Sequence, residues 1–98
     1  MAKSVTINAV AVSDPVAAPV LGEYVLDVTV PDANTSTYNI LSRSQGGSWR
    51  AEREDNGSGA AYVYSESVSL LVPGNREYAI EVLTHTGTAI TVSIDRSK

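Results

Sequence analysis

Ninety-eight residues, 43% hydrophobic and 18% charged, describe a single globular domain spanning 1–98, long enough to bury a core without covalent staples. A formal charge of −4 argues against nucleic acid or an anionic membrane as the main partner. The absence of cysteine removes any disulfide framework or thiolate chemistry.

The start, Met1-Ala2-Lys3-Ser4-Val5-Thr6, has one lysine and no long apolar core, so no signal peptide is read there. The expectation is a complete, soluble protein made in the cytoplasm. The first strand places Val5, Ile7 and Ala9 on one face; Val10 and Val12 then continue one residue out of step. Such a slip implies a bulge or a strand that changes partner. Asp14-Pro15 and Pro19 forbid a central strand, so 16–21 is expected as an extended connection along an edge.

The next strand, 24–30, alternates Tyr24, Leu26, Val28 and Val30 against Asp27 and Thr29. Pro31-Asp32 closes it, and 33–37 is a polar loop. A third strand turns Tyr38 and Ile40 inward, and Gln45-Gly46-Gly47-Ser48 is a hairpin turn. A two-residue Gly46-Gly47 loop would set Trp49 opposite Ser44 and Ala51 opposite Ser42, on the face of Tyr38 and Ile40. It would also set Arg43 against Arg50, which is unfavourable unless both reach water or Glu52.

The strip Arg50, Glu52, Arg53, Glu54, Asp55 reads as a charged edge strand, and Asn56-Gly57-Ser58-Gly59 as the most flexible stretch. Tyr62 and Tyr64 open a strand leading into Val68-Ser69-Leu70-Leu71-Val72, which stops at Pro73-Gly74. Alternation resumes at Tyr78, Ile80 and Val82, as when one strand ends and the chain crosses to the opposite sheet. Ile90, Val92 and Ile94 complete the pattern. A three-residue loop, His85-Thr86-Gly87, would pair Val82 with Ile90, Ile80 with Val92 and Tyr78 with Ile94, with Gly87 in the left-handed position. The sum is an all-β, antiparallel two-sheet β-sandwich of about seven strands.

Val68-x-x-Leu71-x-Pro73-Gly74 followed by Tyr78-x-Ile80-x-Val82 resembles the E-strand, corner and F-strand of fibronectin type III domains, with immunoglobulin-like domains as relatives. Residues 26–32 are similar to that family's B strand, and Tyr38-x-Ile40 with Gly46-Gly47-Ser48-Trp49 to its C–C′ hairpin. The resemblance covers nearly the whole chain. It implies a Greek-key sandwich whose structural corner is Pro73, Gly74 and Tyr78, the Tyr78 hydroxyl bonding back to backbone near the turn. Val28 stands where the family's B-strand tryptophan usually sits, and one extra residue lies between Gly74 and Tyr78.

The residues offer little chemistry. His85 is the only histidine and reads as a polar turn residue, which leaves no Ser–His–acid arrangement and no zinc site. The 55–59 stretch lacks the later acidic ligands of a calcium loop. Asn34 and Asn56 match the glycosylation sequon, which matters only in a eukaryotic secretory pathway. No catalytic residue, cofactor or metal is expected.

Two features could carry binding. One is aromatic, with Trp49, Tyr62 and Tyr64 on neighbouring strands; the plainer reading has Trp49 covering one end of the core. The other is a pole of loops, residues 31–37 with Asp32 and Asn34, together with His85 and Thr86.

The expectation is a non-catalytic structural or binding module. By analogy with the fibronectin-like and immunoglobulin-like domains common on virion surfaces, it is a bacteriophage capsid decoration or tail-associated protein. The alternatives are a spacer or adhesion domain of a larger bacterial surface protein or glycan-degrading enzyme, and an engineered binding scaffold. The expected partner is a capsid or tail protein or a cell-surface glycan, on a virion or extracellular surface. The edge at 5–12 could support oligomerisation.

Overall fold

The computed structural model describes residues 3–31, 35–44, 46–51 and 62–97. Among them are eight strands: β1 (Lys3–Ile7), β2 (Val16–Ala18), β3 (Glu23–Thr29), β4 (Thr37–Arg43), β5 (Arg50–Ala51), β6 (Val68–Pro73), β7 (Arg76–Thr84) and β8 (Ile90–Arg96). They form two four-stranded antiparallel sheets, ordered β1-β8-β3-β6 and β2-β7-β4-β5. The two-sheet sandwich is therefore as the alternation implied, with eight strands rather than about seven. Part of the expected edge connection at 16–21 pairs with β7 as the short strand β2, and so adds to the count.

The wiring follows from the strand pairings. β1 lies against β8, β2 against β7, β3 against β6 and β4 against β5, which are the rungs of one long antiparallel ribbon. Rolling that ribbon brings β8 beside β3 and β7 beside β4, and each sheet acquires its four strands. This is the double Greek-key wiring of a jelly roll.

Alternation decides which residues are inside. One sheet contributes Tyr24, Leu26, Val28, Ile90, Val92 and Ile94, together with Ile7; the other contributes Val16, Ala18, Tyr38, Ile40, Tyr78, Ile80 and Val82. All are buried, and the outward residues between them are mostly polar or small. The slip after Ala9 is a change of partner. β1 belongs to the sheet of β8, whereas Val12 bridges Glu81 and the Ser13 N–H donates to the Ile80 carbonyl at 2.9 Å, both on β7. One N-terminal segment thus closes an edge of both sheets, as a bent first strand can.

The corner between β6 and β7 crosses from one sheet to the other, as the Pro-Gly break implied. Asn75 takes φ 60°, a left-handed conformation that asparagine tolerates better than most side chains. The Gly74 N–H donates to the Gly22 carbonyl (2.8 Å) and the Asn75 N–H to that of Val20 (3.0 Å), docking the corner on the β2–β3 connection. The buried Tyr78 donates its hydroxyl to the Pro73 carbonyl at 2.5 Å. Burial pushes its phenol pKa up, with Arg76 opposing the rise. Tyr78→Phe is expected to cost about 1 kcal/mol in urea unfolding, because it removes the hydroxyl that satisfies this carbonyl; unchanged stability would contradict that role.

Two expected pairings and one expected strand differ in the structure. β7 and β8 form no hairpin: they belong to opposite sheets, and Val82 pairs with Tyr38 while Ile90 pairs with Ile7. Val82, Ile80 and Tyr78 face Ile90, Val92 and Ile94 across the core instead of lying beside them. Residues 85–89 bridge a gap of about 10 Å between sheets, and Gly87 does take positive φ (90°) within that bridge.

The β4–β5 register is one residue away from the two-residue-loop expectation. Ala51 pairs with Leu41 and Arg50 with Ser42, which puts Ala51 on the outer face and removes the opposition of Arg43 and Arg50. Tyr62 and Tyr64 open no strand. Tyr64 makes a single bridge to Tyr38 on β4, and the chain then crosses to the other sheet as β6.

Candidate functional site

The sandwich has two ends with different chemistry. At one, β1, β4 and β7 bring three connections together. The His85 Nε2–H donates to Asn8 Oδ1 at 2.6 Å, which leaves Nδ1 to accept the Ser36 hydroxyl at 2.9 Å. Ser36 Oγ in turn accepts the Thr86 N–H at 3.2 Å. The Thr35 N–H donates to Thr86 Oγ1 at 3.2 Å, and the two threonine hydroxyls also touch. One step further in, the Thr37 and Thr84 hydroxyls lie 2.8 Å apart.

Of the two loops expected at this pole, Thr35 and Ser36 of the first meet His85 and Thr86 of the second. Asp32 and Asn34 lie outside the described residues, as do 52–61 with most of the charged strip, the 55–59 stretch and Asn56. The connectivity Ser36–His85–Asn8 superficially matches a nucleophile–histidine–amide relay. Ser36 is fully buried, however, and its hydroxyl oxygen already accepts from Thr86. What this arrangement can do is staple three connections. Asn8 had no signal in the sequence, because 77 residues separate it from His85, whereas Ser36 lies in the 31–37 loop already expected at this pole.

The aromatic residues do not form the single cluster expected. Tyr64 stacks on Tyr38 with centroids 5.5 Å apart, and Tyr62 tilts against Tyr64 at 4.7 Å. The Tyr38 hydroxyl donates to the Glu66 carbonyl at 2.6 Å. Tyr62 is the exposed end of this stack; Tyr38 is a fully buried core ring and Tyr64 packs against the core.

Trp49 sits elsewhere, near the far end of β4, separated from Tyr38 by the five-residue run to Arg43, about 17 Å of strand. It does not cap the core. The Arg43 guanidinium lies 4.1 Å above its ring, and Arg43 Nε donates to Glu77 Oε1 at 2.8 Å. The one-residue register difference puts Trp49 on this outer face.

That far end gathers the arginines, with Glu23, Glu77 and Asp95 also on its strands. The four arginines among the described residues, Arg43, Arg50, Arg76 and Arg96, all stand there, at the end of β4, the start of β5, the start of β7 and the end of β8. Arg43, Arg50 and Arg76 line a cavity of about 460 Å³ with Ser44 and Ser48. The sequence held one hint of this, the expected crowding of Arg43 and Arg50. Among the described residues, no group of three or more His, Asp or Glu side chains could hold a metal ion. No family model, no curated protein and no solved structure matches this chain.

Proposed function

We propose that the protein is a non-catalytic attachment module, and that it serves on a bacteriophage virion as a capsid decoration or tail-associated protein. The observation that carries this reading is the wiring. A chain paired β1–β8, β2–β7, β3–β6 and β4–β5 is a rolled ribbon, an architecture used widely in viral coat and lectin domains.

Two further features support it. The sole histidine, the residue best suited to proton transfer near neutral pH, is held between Asn8 and Ser36 as a loop staple. Among the described residues no strand pairs with the outer edge of β1, which ends its sheet and offers backbone groups to a neighbouring chain. The resemblance to fibronectin type III and immunoglobulin-like modules rests on the Pro73-Gly74-Tyr78 corner. In the immunoglobulin arrangement the last two strands share a sheet, and here β7 and β8 do not.

The test is mass spectrometry of density-purified particles from cells carrying the gene. The chain is expected at a fixed copy number per particle. Finding it only in the particle-free fraction, or as part of a longer surface protein, would overturn the virion assignment and favour a spacer or adhesion domain.

A further inference from the structure

The arginine-lined cavity has a geometry that the attachment reading neither uses nor requires. Tyr78 faces inward and is buried, and Ser42 is its partner on β4. Arg50 is the partner of Ser42 on β5, and Arg76 lies two residues before Tyr78 on β7. Strand alternation therefore puts Ser42, Arg50 and Arg76 on the core-facing side of their sheet, just beyond the last apolar residue. Positions that carry aliphatic side chains further along the sheet carry guanidinium groups here.

Arg76 Nη2 comes within 3.4 Å of Ser42 Oγ from one side, and Arg50 stands on the strand at the other. Arg43, held by Glu77 and by the Trp49 ring, closes the cavity with Ser44 and Ser48. Among the described residues Arg50 and Arg76 have no carboxylate partner, and the single ion pair is Arg43–Glu77. Three guanidinium groups against one carboxylate repel one another, in a chain whose net charge is −4.

We propose that this cavity binds a tetrahedral oxyanion, a phosphate or sulfate group, seated over Ser42 between Arg50 and Arg76. A carboxylate has two oxygens in one plane, and one guanidinium fork engages both. A phosphate or sulfate has enough acceptors for two forks and a serine hydroxyl. The cavity, about 460 Å³, is far larger than the bare ion and falls in the range of small-molecule sites. The group is accordingly carried on a larger body such as a sugar ester.

The single tryptophan, in contact with Arg43, provides the readout. Its fluorescence is titrated with inorganic phosphate and with glucose 6-phosphate at constant ionic strength, with amide chemical shifts of 42–50 and 76–78 followed in parallel. Saturable binding is expected, tighter for the sugar phosphate. Arg50→Gln and Arg76→Gln should each weaken it about tenfold, the effect of losing one charge-assisted hydrogen-bonding partner. Arg96→Gln, at the same end but outside the cavity, should leave it unchanged. Equal affinity for the two ligands would still support the site, with the free ion as its ligand. No saturation by either probe, or equal weakening by Arg96→Gln, would overturn the proposal, since both are the behaviour of diffuse charge alone.

Discussion

Gly74→Ala is expected to cost about 3 kcal/mol or more, at the upper end of what overpacking does. A Cβ at this position would lie 2.1 Å from the Val20 carbonyl oxygen and 2.6 Å from Cε1 of Tyr24. Neither neighbour can yield cheaply. The Val20 carbonyl accepts the Asn75 N–H, and Tyr24 is a buried core ring. Relief would mean lifting the β6–β7 corner off the β2–β3 connection, which also loosens the crossing between sheets. Gly46→Ala is the control: among the described residues nothing lies within 4 Å, so its positive φ of 77° carries the penalty, about 1–2 kcal/mol. Urea midpoints at constant m-value measure both. A loss at Gly74 no larger than that at Gly46 would show that the corner can shift freely.

Tyr38→Ala should be comparably severe, about 3–5 kcal/mol, because it empties a fully buried aromatic site. The ring packs in the core, stacks on Tyr64 and reaches the Glu66 carbonyl with its hydroxyl. Tyr38→Phe keeps the ring and should cost about 1 kcal/mol. The two variants also differ from wild type in alkali. Burial, and the nearby negative charge of Glu66, hold the Tyr38 phenol pKa well above its ordinary value. The unfolded phenol ionises near pH 10. The folded state therefore keeps a proton that the unfolded state has released, and stability falls as pH rises. This contribution is intact below about pH 10 and is lost on the way up to the folded pKa. Unfolding free energy measured from pH 8 upward should drop less steeply in Tyr38→Phe than in wild type. Tyr78→Phe should show the same flattening, since that pKa is also raised. Parallel pH profiles for all three proteins would contradict the assignment.

The basic cavity shows why a site can be hidden in a sequence that reveals its fold. Arg43, Arg50 and Arg76 belong to three strands, and nothing in their spacing brings them together. Their meeting depends on the order β7-β4-β5 and on the register that pairs Ser42 with Arg50. A shift of one residue in that register would turn Arg50 to the opposite face. The same shift separates the expected position of Trp49, inside, from its observed place under Arg43. The His85 pole was easier to find, because turn-forming residues mark the ends of strands whatever the strands pair with. Its partner Asn8 was not, since β1 reaches that end only through its pairing with β8.

Alternation along the chain by itself decided the sandwich and most of its core: Tyr24, Leu26, Val28, Tyr38, Ile40, Tyr78, Ile80, Val82, Ile90, Val92 and Ile94 are all buried. The Pro-Gly pair marked the corner at Pro73-Gly74; the positive φ expected of Gly87 in a hairpin occurs instead in a crossing between sheets. Tertiary structure alone decided which inward-facing strands are neighbours and which are opposites. A residue pointing at the core has the same sequence signature whether its apolar contact is about 5 Å away on the next strand or about 10 Å away in the facing sheet. β7 and β8 took the second arrangement because β8 is held by β1 and β3 on its two edges and β7 by β2 and β4. Backbone hydrogen bonding, which carries no side-chain pattern, made that choice.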